Sequence, residues 1–245
     1  MPRVVDSSSV DRWIECLRDF DEVVSGHPKK GPGLVELERW WLQLCSPASP
    51  KPNIDRNDLM KLIDWKGKRG KFRPALVAYA RDQHDAALKT ASAAAYKLLA
   101  ENTFKHLDQK TLTEALNPLL ELRGIGPATA SAVLAAYDDR VMFMSDELLE
   151  ELHGKREYTL KSYIALFDEL QGIQKTLMGG EEARWLSLRD MERAVFVDVL
   201  RRRRGDGDVA GKKRNEDHNE EKRRVDGAKG GGGTTRSKKK RRTLG

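Results

Sequence analysis

The feature that most constrains this chain is a pair of apolar helical patterns separated by a short glycine-containing turn. Leu112, Leu116, Leu119 and Leu120 fall on one helical face behind Thr111 and Glu114, which have the spacing of a capping box. The turn Leu122-Arg123-Gly124-Ile125-Gly126-Pro127 comes next, and then a run of small residues from Ala128 to Tyr137. Gly124 and Gly126 are expected to supply positive φ and to leave no side chain between backbone and ligand. Pro127 suits the first position of a helix, where its missing N–H is no loss. The amides of Ala128, Thr129 and Ala130 would then lie at a positive helix end, a site for one phosphate of a nucleic-acid backbone, held without reading sequence.

The same period recurs along the chain and no alternating strand pattern competes with it. Leu34, Leu37, Trp41 and Leu44 form a stripe behind the boundary Gly31-Pro32-Gly33. Leu160, Tyr163, Ile164, Phe167 and Leu170 do so after Thr159, and Leu188, Met191, Val195 and Val199 after Ser187. These stripes predict a single all-α domain over residues 1–200, with the hairpin at about 109–137. Pro47 to Pro52 reads as a flexible connection, and no internal repeat points to a solenoid.

Charge is divided unevenly. From Arg201 onward there are 17 Lys/Arg against 7 Asp/Glu, whereas residues 1–200 carry 28 against 31. The body is slightly acidic, so nucleic-acid contact there must come from a local patch and from backbone amides. Residues 201–245, with four glycines from Gly230 to Gly233 and no apolar period, are expected to be a disordered basic tail. Its Lys238-Lys239-Lys240-Arg241-Arg242 block reads as a nuclear import signal, or as a loose DNA-binding arm, or as a solvated tail. No apolar run approaches a membrane span or a signal peptide, so a soluble nuclear protein is expected. Cys16 and Cys45 are too few for a disulfide or metal framework and read as core.

Over the turn and the segment after it, the chain resembles the helix-hairpin-helix DNA glycosylase superfamily. In its members such a hairpin leads through a short loop to an essential aspartate at the next helix start, and Phe143-Met144-Ser145-Asp146-Glu147-Leu148-Leu149 stands in that place. The resemblance covers roughly residues 107–153 and implies that Asp146 is catalytic. In bifunctional members a lysine occupies the second position after the second glycine. Ala128 stands there in this sequence, which implies a monofunctional enzyme without Schiff-base lyase chemistry through that site. The loop Asp138 to Met142 lacks the proline usual in the family, and the iron–sulfur cysteines of some branches are absent. The resemblance also implies a monovalent cation on the backbone carbonyls of Leu120, Leu122 and Ile125, with no other cofactor.

The segment Asp64 to Pro74, similar to one in an uncharacterised eukaryotic branch with the same hairpin, interleaves Lys66, Lys68, Arg69, Lys71 and Arg73 with Trp65 and Phe72. Cations beside aromatics suit a flipped base and its flanking phosphates, so all seven are candidate base-pocket or DNA contacts. The alternative is a helix end whose aromatics are core and whose cations are solvated. His84, His106 and His153 are isolated. The reading is a monomeric protein that binds double-stranded DNA and excises a damaged or mismatched base, Asp146 stabilising cationic charge on the sugar or activating water. Asp146 within a plain helix cap, on a non-catalytic DNA-binding or nuclear interaction module of the same fold, is the other reading.

Overall fold

A computed structural model describes residues 2–28, 30–44, 51–104, 106–179 and 186–204. The chain divides into two units, Met1–Arg202 and Arg203–Gly245. Cys45, Pro47 and the basic tail beyond Arg204 lie outside the described residues.

Every regular element among the described residues is helical. A 3₁₀ turn (Val4–Asp6) precedes α1 (Val10–Arg18), α2 (Phe20–Ser25), α3 (Pro32–Gln43), α4 (Arg56–Arg69) and α5 (Pro74–Arg81). Then come α6 (Asp85–Glu101), α7 (Gln109–Leu120), α8 (Pro127–Tyr137), α9 (Asp146–His153) and α10 (Leu160–Met178). A last helix, α11, covers 188–204. None of the described helices is long and apolar enough to cross a membrane.

The centre is α8, buried from Thr129 through Ala136 and packed against α3, α4, α6, α7 and α10. Its alanines and Ser131 make this possible, because small side chains let neighbouring helix axes approach on several sides at once. Trp41 of α3 lies flat on Trp65 of α4, ring centroids 4.4 Å apart, and donates its indole N–H to the Ala132 carbonyl (2.9 Å). A large aromatic thus fills the space that the alanines leave, with its polar atom satisfied.

Helix starts follow local capping chemistry. Asp108, not Thr111, caps α7, its carboxylate accepting the Thr111 amide at 2.6 Å, so the helix begins ahead of the expected capping box. Thr159 caps α10, and the Ser187 hydroxyl accepts the Asp190 amide at the start of α11.

The helical unit also runs past the expected boundary at 200. Arg201 bonds to Asp19, and Arg202 pairs with Glu151 (2.8 Å) and Asp198 (2.9 Å). These first basic residues are neutralised against the body, which is why they continue α11 rather than begin a tail.

Candidate functional site

Asp146 is brought to the surface by a pinned extended segment. Val141 to Ser145 cross α8 fully buried, the Met144 amide donating to Ser131 Oγ (3.0 Å) and the Met142 carbonyl accepting the Tyr163 hydroxyl (2.9 Å). Ser145 caps α9 by accepting the Leu148 amide (3.2 Å), and Asp146 is the first helical residue. The loop before it needs no proline: Arg140 bonds to Asp138 and to the carbonyls of Leu99, Asn102 and Phe104, fixing the loop to the end of α6.

The Asp146 carboxylate is 12% exposed and held from two sides. The Tyr158 hydroxyl donates to Oδ1 at 2.5 Å, and Arg156 Nη1 approaches Oδ2 at 2.9 Å. Both partners lie beyond the left-handed cap Gly154 (φ +67°), which ends α9 and turns the chain back toward the start of that helix. Opposite stands Gly70, the cap of α4, where a Cβ would meet Asp146 Oδ2 at 3.3 Å. Burial, then the bond to Asp146, holds the Tyr158 phenol above its usual range, so it remains a donor.

Asp146, Tyr158 and Gly70 line a cleft of about 40 Å³, whose other walls include Lys66, Phe72, Arg73 and Ala128. Lys66 Nζ donates to Thr129 Oγ1 at 2.7 Å and forms no ion pair with any described residue. Burial, and next the nearby Arg73 charge, bring the Lys66 ammonium down to about 7, with Asp146 pulling the other way. The Arg73 guanidinium lies 4.7 Å from the Tyr158 ring centroid, and Phe72 stands 59% exposed beside the cleft.

The seven candidates between Trp65 and Arg73 therefore separate. Trp65 and Arg69, four apart on α4, face the core, while Lys66 and Gly70, on the next face of the helix, look into the cleft. Trp65 donates to Glu38 (2.7 Å), and Arg69 bonds to Glu192 (2.6 Å) and lies 3.5 Å from Glu38, which Arg193 also binds (2.9 Å). Trp65 is fully buried and the Arg69 guanidinium, at the inner wall of the cleft, is taken up by these carboxylates, which corrects their assignment as DNA contacts; a buried guanidinium requires such partners. Burial pushes the Glu192 carboxyl up to about 7 against the pull of Arg69, and raises that of Glu147. Lys68 lies exposed, 3.4 Å from Asp64, and Lys71 and Arg73 are exposed.

At the turn, Gly124 has φ +80°, and a Cβ there would lie 2.4 Å from Cγ of Tyr79. Gly126 departs from expectation: its φ of −96° and ψ of 179° are open to any residue, and nothing lies within 4 Å of its Cβ position. The amides of Thr129 and Ala130 both donate to the Gly126 carbonyl at 2.9 Å, and both residues are buried. Of the three amides expected to face a phosphate, only that of Ala128 has no backbone acceptor, because the first helical turn already uses the other two. The Leu122 carbonyl accepts the Ile125 amide (3.1 Å), so a cation at Leu120, Leu122 and Ile125 would share that oxygen's second lone pair. No group of three or more His, Cys, Asp or Glu side chains among the described residues is arranged to hold a metal.

Sequence reasoning missed Arg156, Tyr158 and the Glu38–Arg69–Glu192 cluster. The His153-Gly154 pair is a helix-stop signal that points to the chain reversal; nothing local marks Glu38 and Glu192, which lie far from Arg69 along the chain. Comparison with family models, with curated proteins and with solved structures finds no match to this chain.

Proposed function

We propose that this is a DNA-binding protein of the helix-hairpin-helix glycosylase type, in which the α7–α8 turn holds the duplex backbone and the adjoining cleft removes a damaged or mismatched base. The observation that carries this reading is the Asp146 carboxylate at a helix start, fixed by Tyr158 and Arg156 within a cleft edged by Arg73, Lys71 and Phe72. A fixed carboxylate in a partly dry site stabilises positive charge as it develops on a sugar ring, or takes a proton from attacking water. The exposed cations beside the cleft supply a local field that the acidic body lacks, and Phe72 offers a face on which a base stacks. The basic tail, read as an import signal or a second backbone contact, belongs to the same proposal.

A second reading, duplex binding without base removal, draws on the size of the cleft. About 40 Å³ accommodates roughly two or three waters and less than a nucleobase, so excision requires the Lys71–Phe72–Arg73 link to move outward. The test is base release and duplex binding on a panel of lesion-bearing oligonucleotides, with the full chain and with Asp146→Asn. Release that disappears in Asp146→Asn while binding persists supports excision. Binding without release by either protein supports the second reading, and no binding by either overturns both.

A further inference from the structure

We propose that the open hollow at the C-terminal ends of α6 and α8 is a docking site for an extended segment of a partner protein, which sets an arginine or lysine on Asp139 and an apolar side chain on Phe104. The hollow lies at the other end of α8 from the cleft, about 15 Å of helix from Ala128, and stands apart from whatever the cleft binds.

A single exposed ring on a protein surface is ordinary. What sets Phe104 apart, at 74% exposed on the link from α6 to α7, is how its backbone is held. Arg140 Nη1 donates to the carbonyls of Asn102 (2.6 Å) and Phe104 (2.7 Å), and Nη2 to that of Leu99 (2.9 Å). One guanidinium thus pins the chain that carries the ring, so a partner meets Phe104 without first ordering the link. Beside the ring the hollow opens to about 500 Å³, walled by Leu99, Ala100, Asp138 and Asp139. An apolar side chain laid there is covered on two sides, by the ring and by the Leu99 end of α6.

The field in the hollow favours a cation. Asp139 is half-buried, and its carboxylate accepts no hydrogen bond from any described residue. Arg189 lies near, yet its amide donates to the Asp139 carbonyl (3.1 Å) and its guanidinium to the Ala135 carbonyl (3.1 Å). Burial holds the Asp139 carboxyl above its usual range against the pull of Arg189. A desolvated carboxylate without a donor costs free energy in the free protein, and a bound guanidinium or ammonium removes that cost. Asp138 is no rival anchor, because Arg140 Nε already binds it at 3.0 Å. The helix ends act in the same sense: α6 and α8 both finish at this hollow, and helix C-termini carry partial negative charge. That field repels phosphate, so the surface suits a peptide and not a nucleic acid.

The experiment is selection of a phage-displayed library of random dodecapeptides on the full chain, then fluorescence anisotropy of the strongest peptide, synthesised with a dye. Phe104→Ser removes the ring and Asp139→Asn the charge, and neither side chain makes a hydrogen bond on which the fold depends. The expected peptides carry arginine or lysine within a few residues of a large apolar side chain. Their affinity is expected to fall at least about tenfold in each variant, with the urea midpoint unchanged. In Asp139→Lys the parent peptide loses binding, and the same peptide with glutamate in place of its cation regains it. Selected peptides without a cation, binding that survives either substitution, or a selection that returns no binder overturns the proposal. A dimer of the full chain in analytical ultracentrifugation that Phe104→Ser dissociates overturns it too, because a second copy is then the occupant.

Discussion

Gly124 faces the ring of Tyr79 so closely that a Cβ at this position would lie 2.4 Å from the ring, with φ at +80°. Gly124→Ala therefore meets both a steric and a backbone penalty, and is expected to cost about 1–3 kcal/mol or more in urea unfolding and to weaken duplex binding. Gly126→Ala, in extended backbone with open space around it, is expected to stay within about 0.5 kcal/mol of the parent. Equal losses at the two positions would contradict this account of the turn.

The Glu38 cluster gives the second expectation. Glu38→Ala strands the Trp65 indole and leaves Arg69 and Arg193 short of a carboxylate in a dry interior, which is expected to cost about 3–5 kcal/mol. Chemical denaturation reads this directly, and a loss below about 1 kcal/mol would mean that the cluster is wetter than its burial indicates.

Removing the hydroxyl that holds Asp146 separates function from folding. Tyr158→Phe deletes one hydrogen bond at the edge of the cleft, a stability loss of about 0.5–1.5 kcal/mol. Base release, measured in single turnover, is expected to fall by more than duplex binding does, since the carboxylate loses its alignment while the exposed Lys68 and Lys71 are untouched. Unchanged release would remove Tyr158 from the site.

Two desolvated groups, buried Glu192 and half-buried Lys66, give stability opposite slopes with pH. Glu192 sits at about 7 in the folded protein against 4.5 for the free side chain, so its contribution is full below pH 4.5 and is lost as pH rises through 7. Lys66 sits at about 7 against 10.5, so its contribution is full above pH 10.5 and is lost as pH falls through 7. Glu192→Gln is expected to flatten the fall between pH 4.5 and 7, and Lys66→Met the rise between pH 7 and 10.5. Denaturant midpoints at pH 5, 7 and 9 in the three proteins check both signs; unchanged slopes in either variant would reject its assignment.

The end of the helical unit is testable by truncation. A chain stopped after Leu200 loses the contacts of Arg201 to Asp19 and of Arg202 to Glu151 and Asp198, whereas one stopped after Arg204 keeps them. The shorter chain is expected to melt several degrees lower, on the scale of about 2–4 °C per kcal/mol for a unit of this size.

The legible part of the sequence is local. The apolar stripes of α3, α7, α10 and α11, Ser145 ahead of Asp146, and the turn at Gly124 depend on neighbours within a few residues. The segment around Trp65 and Arg69 misleads because five cations in a row of eleven residues look solvated, and only partners 31 and 123 positions away make an inward-facing guanidinium tolerable. Thr129 departs from expectation too: its amide reads as open at a helix end, yet it donates to the Gly126 carbonyl, and the buried hydroxyl accepts from Lys66.

The stacked indoles of Trp41 and Trp65 stand immediately behind the cleft, one of them 4.9 Å from the Phe143 ring and next in sequence to Lys66. Two parallel chromophores at that separation couple electronically, so near-ultraviolet circular dichroism and intrinsic emission carry a signature of this one spot in the fold. Any occupant that shifts α4 against α3 alters that signature, and the protein thereby brings its own optical reporter to a titration without a dye or a label.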